Sequence, residues 1–258
     1  MKKPIALILS LALTLCLFAG CGTEQARDVT LTVFAAASLT DCMEELRLDY
    51  MEKHPETGII CTYDSSGTLK TQIQEGAVCD IFLSAAEKQM TELGDMVIAD
   101  SCVTLLENKV CLVVAEGNPA RVDGFSGLME GLRDGTLVLA MGNSDVPAGQ
   151  YGEKVFSFFG TSPEDFSAGI TYGSNVKEIA LQVLEGTADC GIIYETDARA
   201  AGLTVVETAT AEMCGQVAYP AAILTASGNK ETAQDFLQYL TSEEADAVFL
   251  AAGFTPLG

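Results

Sequence analysis

Four apolar runs of the chain are each followed by residues that can donate hydrogen bonds at the start of an amphipathic segment. Ser38 and Ser66 stand at the first two junctions, and Ala148 and Val176 stand at the other two. The first backbone N–H groups of a helix have no partner within the helix and carry the positive end of its dipole. A hydroxyl or an unobstructed amide at such a position predicts an anion-binding site.

The donors at these junctions are electrically neutral. A pocket lined by hydroxyls and amides suits a small, fully ionised oxyanion, which accepts hydrogen bonds and donates none. Hydrogen phosphate keeps a proton and would require an acceptor. Ser38 and Asn175 also occupy positions typical of a helix N-cap, so four ordinary helix starts are the alternative interpretation.

Strand-like apolar runs alternate with amphipathic helices along the chain, which predicts an α/β fold with mostly parallel sheets. The predicted strands are 32–35, 59–63, 81–84, 110–115, 137–141, 170–172, 191–194, 204–206 and 221–225. Ligands of open parallel sheets bind beyond the carboxyl ends of the strands. We therefore expect all four junctions at such an edge, where they would line a single pocket if they converge.

The N-terminus has the composition of an export signal. Two lysines precede an apolar stretch over residues 5–19, shorter than the roughly 20 residues of a membrane-spanning helix, and the segment FAGC ends at Cys21. This pattern predicts a lipoprotein signal peptide over residues 1–20, a lipid on Cys21 and a short tether over residues 21–28. An ordinary cleaved signal with an incidental cysteine is the alternative, and both interpretations predict export.

The chain carries 36 acidic and 14 basic residues, a formal net charge of −22. Nucleic acid and anionic membrane surfaces are poor partners for such a chain, and no nucleic-acid binding is predicted. An anionic ligand is still compatible with this charge, because exposed charges are screened over about 8 Å at physiological salt. A desolvated oxyanion interacts mainly with the donors in direct contact with it.

The sequence offers little that is typical of a metal site or an enzyme. Nine cysteines, less Cys16 and Cys21 near the N-terminus, leave seven, and none forms a CxxC or another ligand spacing. We therefore predict no free-cation site and no cofactor, whereas a disulfide stays open because the protein is exported. The single histidine, His54, lies in a polar segment, and the SxxK of Ser174 and Lys177 lacks its partner motifs. The chain is not predicted to be an enzyme.

Segments from end to end of the chain resemble the molybdate-binding proteins of ABC importers. The matching segments cover residues 31–254 and read VFAAASLTD, SSGTL, CDIFLSA, DVPAGQYG, NVKEIAL, GIIYETDA, AYPAAIL and AAGF. The resemblance implies the two-lobed type 2 periplasmic-binding-protein fold, in which each lobe is a mostly parallel sheet flanked by helices and the ligand lies in the cleft between the lobes. Lobe 1 would comprise residues 29–108 and 219–258, and lobe 2 residues 109–218.

The same resemblance implies which residues bind the oxyanion. Ser38 and Ser66 would each donate from the hydroxyl and from the amide. Ala148 and Val176 would donate from the backbone N–H, and Tyr194 would donate from its phenol. Molybdenum would thus be held as an oxyanion by these five residues, without a separate cation site.

Asp64 departs from the pattern of the family, which usually has a small residue at this position. A carboxylate directed into the pocket would repel the anion. We therefore expect the Asp64 side chain to face away from the ligand.

The function that the resemblance implies is that of an extracytoplasmic solute-binding lipoprotein. It would capture molybdate, and also tungstate, and deliver the anion to the permease of an ABC importer. The protein would be a monomer on the outer face of the cytoplasmic membrane, held there only by its lipid, and periplasmic where the cell has an outer membrane. The same fold binding sulfate or another small anion is the alternative, and an exported enzyme is a further one.

Overall fold

The structure is a computed structural model that describes residues 28–257 of the chain. These residues form two β-sheets flanked by helices. The predicted signal peptide, Cys21 and the tether up to residue 27 lie outside the described residues. The strands, numbered along the chain, are β1 (Val29–Ala36), β2 (Thr57–Asp64), β3 (Ile81–Leu83), β4 (Val103–Asn108), β5 (Val110–Val114), β6 (Leu139–Gly142), β7 (Ile170–Gly173), β8 (Cys190–Tyr194), β9 (Thr204–Thr208), β10 (Val217–Ile223) and β11 (Thr255–Pro256). The first sheet has the spatial order β11-β4-β10-β3-β1-β2, and the second has the order β7-β6-β8-β5-β9.

Helices cover both sheets. In the described part of the chain the α-helices are α1 (Thr40–Lys53), α2 (Ser66–Gln74), α3 (Glu87–Leu93), α4 (Phe125–Arg133), α5 (Pro147–Phe158), α6 (Val176–Leu184), α7 (Glu195–Ala201), α8 (Ala211–Cys214), α9 (Lys230–Leu240) and α10 (Glu243–Ala252). Short 3-10 turns lie at Ala37–Leu39, Gly94–Met96, Ala99–Ser101 and Pro163–Gly169. The α/β fold predicted from the alternation of strands and helices is therefore confirmed.

Both sheets are mixed, so the prediction of mostly parallel sheets was wrong in this respect. Strand β1 runs parallel to β2 and β3, and β6 runs parallel to β7 and β8. The other five pairings are antiparallel. The antiparallel pairs include the strands through which the chain passes between the two sheets. The chain leaves the first sheet after β4 and returns to it in β10, and it enters the second sheet in β5 and leaves that sheet after β9. Strands that leave and enter side by side run in opposite directions.

The chain crosses between the sheets at two places. Lys109 alone separates β4 from β5, and the segment that contains α8 leads from β9 back to β10. The strands of the first sheet thus lie within residues 29–108 and 217–256, and those of the second within 110–208. This membership supports the proposed lobes, 29–108 with 219–258 and 109–218, and their boundaries stay a proposal.

The apolar side chains that the sequence pattern assigns to the interior are buried. All residues of β5 are buried, and the predicted stripe of α9 (Ala233, Phe236, Leu237, Leu240) packs against the first sheet and is inaccessible or nearly so. Each large apolar side chain contributes about 1.5–3 kcal/mol when it is fully buried. This burial stabilises the positions of the two sheets. The four donor-rich junctions directly follow the carboxyl ends of the parallel strands β1, β2, β6 and β7.

The described residues contain neither a metal cluster nor a candidate membrane span. Between residues 28 and 257, no helix combines the length and apolar character that crossing a bilayer demands, and no group of three or more His, Cys, Asp or Glu could hold a metal ion. The seven cysteines of this range are free thiols. Burial raises the pKa of Cys42, Cys111 and Cys190 to about 12, so these thiols stay protonated.

Candidate functional site

The four junctions converge on one small cavity between the two sheets. The free space at its centre is about that of one water molecule, so the cavity is small and closely lined. The lining residues are Ala36, Ala37, Ser38, Asp64, Ser65, Ser66, Ala85, Val146, Pro147, Ala148, Asn175, Val176 and Tyr194. The structure therefore brings together all five residues that the resemblance assigns to the oxyanion.

Ser38 reaches the cavity from a 3-10 turn and not from a helix N-cap. The turn Ala37–Leu39 precedes α1, and Ser38 makes no capping hydrogen bond to the helix, which corrects the N-cap prediction. Its Oγ lies 3.0 Å from the hydroxyl oxygen of Tyr219, in β10. Because Ser38 lies inside the 3-10 turn, Leu39 occupies the position directly before α1, and the local pattern misplaced the helix start by one residue.

Ser66 is the first residue of α2 and is fully buried. The preceding Ser65 caps the helix, because its Oγ accepts a hydrogen bond from Thr68 N at 3.1 Å. The Oγ of Ser66 accepts instead from Ala85 N at 2.9 Å. Since its oxygen is used as an acceptor, the Ser66 hydroxyl proton is free to be donated into the cavity.

Ala148 and Val176 offer backbone N–H groups in the first turns of two helices of the second sheet. Pro147 is the first residue of α5, as predicted, and its missing N–H costs nothing there. Asn175 caps α6 with its Oδ1, which accepts from Glu178 N at 3.0 Å and confirms the predicted N-cap. Ala148 N and Val176 N, in the first turns of these helices, have no acceptor within them.

Tyr194 ends β8 and is 1% exposed, so its hydroxyl does not lie in bulk water. The hydroxyl donates to Ala85 O across a long contact of 3.4 Å. Burial raises the pKa of Tyr194 well above its ordinary value. The phenol therefore keeps its proton and can serve as a donor at the wall of the cavity.

Asp64 is the charged residue of the lining. One of its carboxylate oxygens accepts from the backbone N–H of Ser65 at 2.7 Å, which holds the side chain against its own backbone. The expectation that the carboxylate faces away from an anion stays a prediction.

The residues that the sequence singled out for possible enzyme chemistry have other partners. Lys177 Nζ lies 3.4 Å from a carboxylate oxygen of Asp41, and Ser174 bonds to Glu178 at 2.8 Å, so the SxxK residues do not form a pair. His54 is half exposed and stacks on Tyr50. No lysine or arginine lines the cavity, so its attraction for anions comes from neutral donors.

Sequence reasoning missed two residues behind the cavity, Tyr219 and Asn108. Tyr219 lies next to Ser38, and Asn108 Nδ2 donates to the Tyr219 hydroxyl oxygen at 3.1 Å. Tyr219 belongs to the segment AYPAAIL, but the apolar pattern placed the strand start at Ala221, two residues later. Only the pairing of β10 with β4 brings Tyr219 and Asn108 to the site.

A wider groove of about 510 Å³ lies near the cavity, lined in part by Glu87, Glu153, Lys88 and Lys154. Its mixed charges give no consistent preference for an anion. None of the four junction donors belongs to its lining. The small cavity is therefore the better candidate for a ligand site.

Comparison with known proteins agrees with this architecture. The family described as "Bacterial extracellular solute-binding protein" matches residues 31–255. A Bacillus subtilis protein named "Putative ABC transporter substrate-binding lipoprotein YvgL" is 34% identical, with 99% of each chain covered. The molybdate-binding protein ModA of Haemophilus influenzae is 32% identical, with 94% of this chain and 96% of the relative covered. The structure of the periplasmic molybdate-binding protein of Azotobacter vinelandii superimposes with a TM-score of 0.76 at 21% identity, over 88% of this chain and 100% of that one. The chain therefore belongs to the family of bacterial extracellular solute-binding proteins, and it is not an enzyme.

Proposed function

We propose that this protein captures molybdate, and also tungstate, as the intact oxyanion and delivers it to an ABC importer. The observation that carries the proposal is the convergence of four helix-start junctions and one buried phenol on one small cavity without a basic side chain. Such a donor set matches an ion that only accepts hydrogen bonds. The relatives named for molybdate binding support the same ligand.

The proposed contacts are those that the resemblance to the molybdate-binding proteins implies. Ser38 and Ser66 donate from hydroxyl and amide on one side of the cavity, and Ala148, Val176 and Tyr194 donate from the other side. Hydrogen bonds to charged groups contribute about 1.5–3 kcal/mol each, and micromolar affinity needs about 8 kcal/mol in total. The donor set is therefore large enough to bind a small anion after the costs of ordering are met.

We further propose that the protein acts outside the cytoplasm as a monomer tied to the membrane by a lipid on Cys21. The signal-like N-terminus and the lipoprotein name of the Bacillus subtilis relative support the anchor. Closure of the two lobes around the anion would give the permease a shape to recognise. The mass of the mature N-terminus tests the anchor, and a mature chain without lipid on Cys21 would contradict it.

A thermal-shift panel tests the ligand. At about 100 times its dissociation constant a ligand adds about 2.7 kcal/mol to the free energy of unfolding. We expect micromolar molybdate and tungstate to raise the melting temperature strongly, and sulfate, hydrogen phosphate and amino acids to have little effect. A clear shift with sulfate or an amino acid, and none with molybdate or tungstate, would overturn the assignment.

A further inference from the structure

Three buried or half-buried groups form a hydrogen-bonded chain that ends at the cavity. Asn108 Nδ2 lies 3.1 Å from the Tyr219 hydroxyl oxygen, and that oxygen lies 3.0 Å from Ser38 Oγ. Tyr219 is 1% exposed and Asn108 is 8% exposed, so water does not compete for these contacts. The direction in which protons point along this chain decides what Ser38 can offer to a ligand.

The orientation of the Asn108 amide follows from its neighbours. Its Oδ1 accepts from the backbone N–H of Lys109 at 2.8 Å. Exchanging the oxygen and nitrogen of the amide would set an N–H donor against that backbone N–H. Nδ2 therefore faces Tyr219 and Thr196 Oγ1, and it donates to both.

The hydroxyl proton of Tyr219 then has one hydrogen-bond acceptor. Among the described residues its hydroxyl has two partners, Asn108 and Ser38, and Asn108 is a donor. Burial raises the pKa of Tyr219 well above its ordinary value, so the phenol is neutral and its proton needs an acceptor. Ser38 Oγ is that acceptor.

Resting on the proposed function, we infer that Tyr219, oriented by Asn108, is a positioning residue that makes Ser38 an obligate donor to the bound oxyanion. Because Ser38 Oγ already accepts from Tyr219, its own proton is directed away from Tyr219 and towards the ligand. Ser66 is arranged in the same way by Ala85 N. A ligand that itself donates a proton would leave the Ser38 hydroxyl proton without an acceptor, so the relay favours fully ionised oxyanions.

A double-mutant cycle tests the relay, with molybdate affinity measured by calorimetric titration. We expect Tyr219→Phe to weaken binding about five- to tenfold in the wild-type background, because one hydrogen bond that supports the donor is lost. In the Ser38→Ala background the same substitution should change affinity by less than about twofold, because the group through which it acts is absent. Equal losses in both backgrounds, or no loss in the wild type, would overturn the relay.

Two further variants sharpen the cycle. Ser66→Ala is the control: it removes a cavity hydroxyl that is bonded to Ala85 N and not to Ser38, and its effect should persist in the Ser38→Ala background. Asn108→Leu removes the amide donor at similar volume and should weaken binding less than Tyr219→Phe, with the same dependence on Ser38. This variant carries the test if Tyr219→Phe does not fold, and background-independent loss would again contradict the relay.

The outcome of the cycle is separate from that of the ligand assignment. If the panel selects sulfate over molybdate, the same cycle is run with sulfate, and the relay is judged on that ion while the molybdate assignment falls. If the wild type binds molybdate but the cycle is additive, only the relay falls. A wild-type protein that binds no oxyanion overturns both.

Discussion

At the scale of single residues, Ser65 and Ser66 are neighbours whose hydroxyls have different partners. Ser65 caps α2 by accepting from Thr68 N, whereas Ser66 accepts from Ala85 N and keeps its proton for the cavity. We expect Ser66→Ala to weaken molybdate binding at least about tenfold, since a hydrogen bond to a charged ligand is lost. We expect Ser65→Ala to lower the free energy of unfolding by about 1 kcal/mol and to change affinity less than about twofold.

Calorimetric titration and urea unfolding of the two variants separate these effects. Ser65→Ala serves as the matched control, because it removes an adjacent hydroxyl from the same helix start. Unchanged binding in Ser66→Ala, or an equal loss of affinity in both variants, would remove the Ser66 hydroxyl from the anion site.

Residue types predicted the site where the partners of a side chain are close in sequence. Asn175 and Pro147 start their helices as expected, because a cap depends on the three or four residues that follow it. Ser38 does not, and its partner Tyr219 is 181 positions away. A contact between residues so far apart cannot be read from a local sequence pattern. The sequence therefore predicted Ser38 as a donor but did not predict Tyr219 as its partner.

At the scale of elements, strands with continuous apolar runs were predicted well and strands of mixed character were not. β5 and β8 are buried along their whole lengths, and their predicted bounds differ from the observed ones by one residue. β4, which ends in Glu107 and Asn108, has a mixed burial pattern and was missed. Its place between β10 and β11 depends on pairing with distant segments, which the pattern of one strand does not reveal.

Gly67 in the first turn of α2 allows a close approach to the loop before α5. A Cβ at this position would lie 2.1 Å from the backbone oxygen of Asp145, which follows a strand of the second sheet. That oxygen belongs to the main chain and cannot move aside without moving the loop. We expect Gly67→Ala to prevent the observed arrangement and to weaken molybdate binding at least about thirtyfold, because overpacking of this kind costs about 2 kcal/mol.

Calorimetric titration with small-angle scattering measures this effect. The scattering of wild type should show a more compact molecule with molybdate than without, and Gly67→Ala should lose the difference. Gly228→Ala is the matched control, because nothing lies within 4 Å of a Cβ at that position. A Gly67→Ala protein that binds as tightly as wild type would show that the close approach is not needed for binding.

At the scale of the whole molecule, charged groups meet where helices from the two sheets come together. Lys177 in α6 pairs with Asp41 in α1 at 3.4 Å, and both side chains are largely exposed. Asp197 in α7 is buried beneath them, and its Oδ2 has no hydrogen-bond partner among the described residues. The exposed pair contributes at most about 1 kcal/mol, so the buried carboxyl dominates the response of this region to pH.

Burial raises the pKa of Asp197 to about 7, and nearby Lys177 opposes this shift only in part. An unfolded aspartate has a pKa near 3.9, so the folded protein binds the extra proton between about pH 4 and pH 7. The stability that this proton confers is present in full below the unfolded pKa and is lost as pH rises through the folded pKa. We expect the free energy of unfolding of wild type, relative to Asp197→Asn, to fall by about 3 kcal/mol between pH 5 and pH 8. Urea unfolding at both pH values measures it, with Asp134→Asn, an exposed carboxyl, as the control that keeps the wild-type slope. Identical slopes for wild type and Asp197→Asn would show that Asp197 is already ionised at pH 5 in the folded protein.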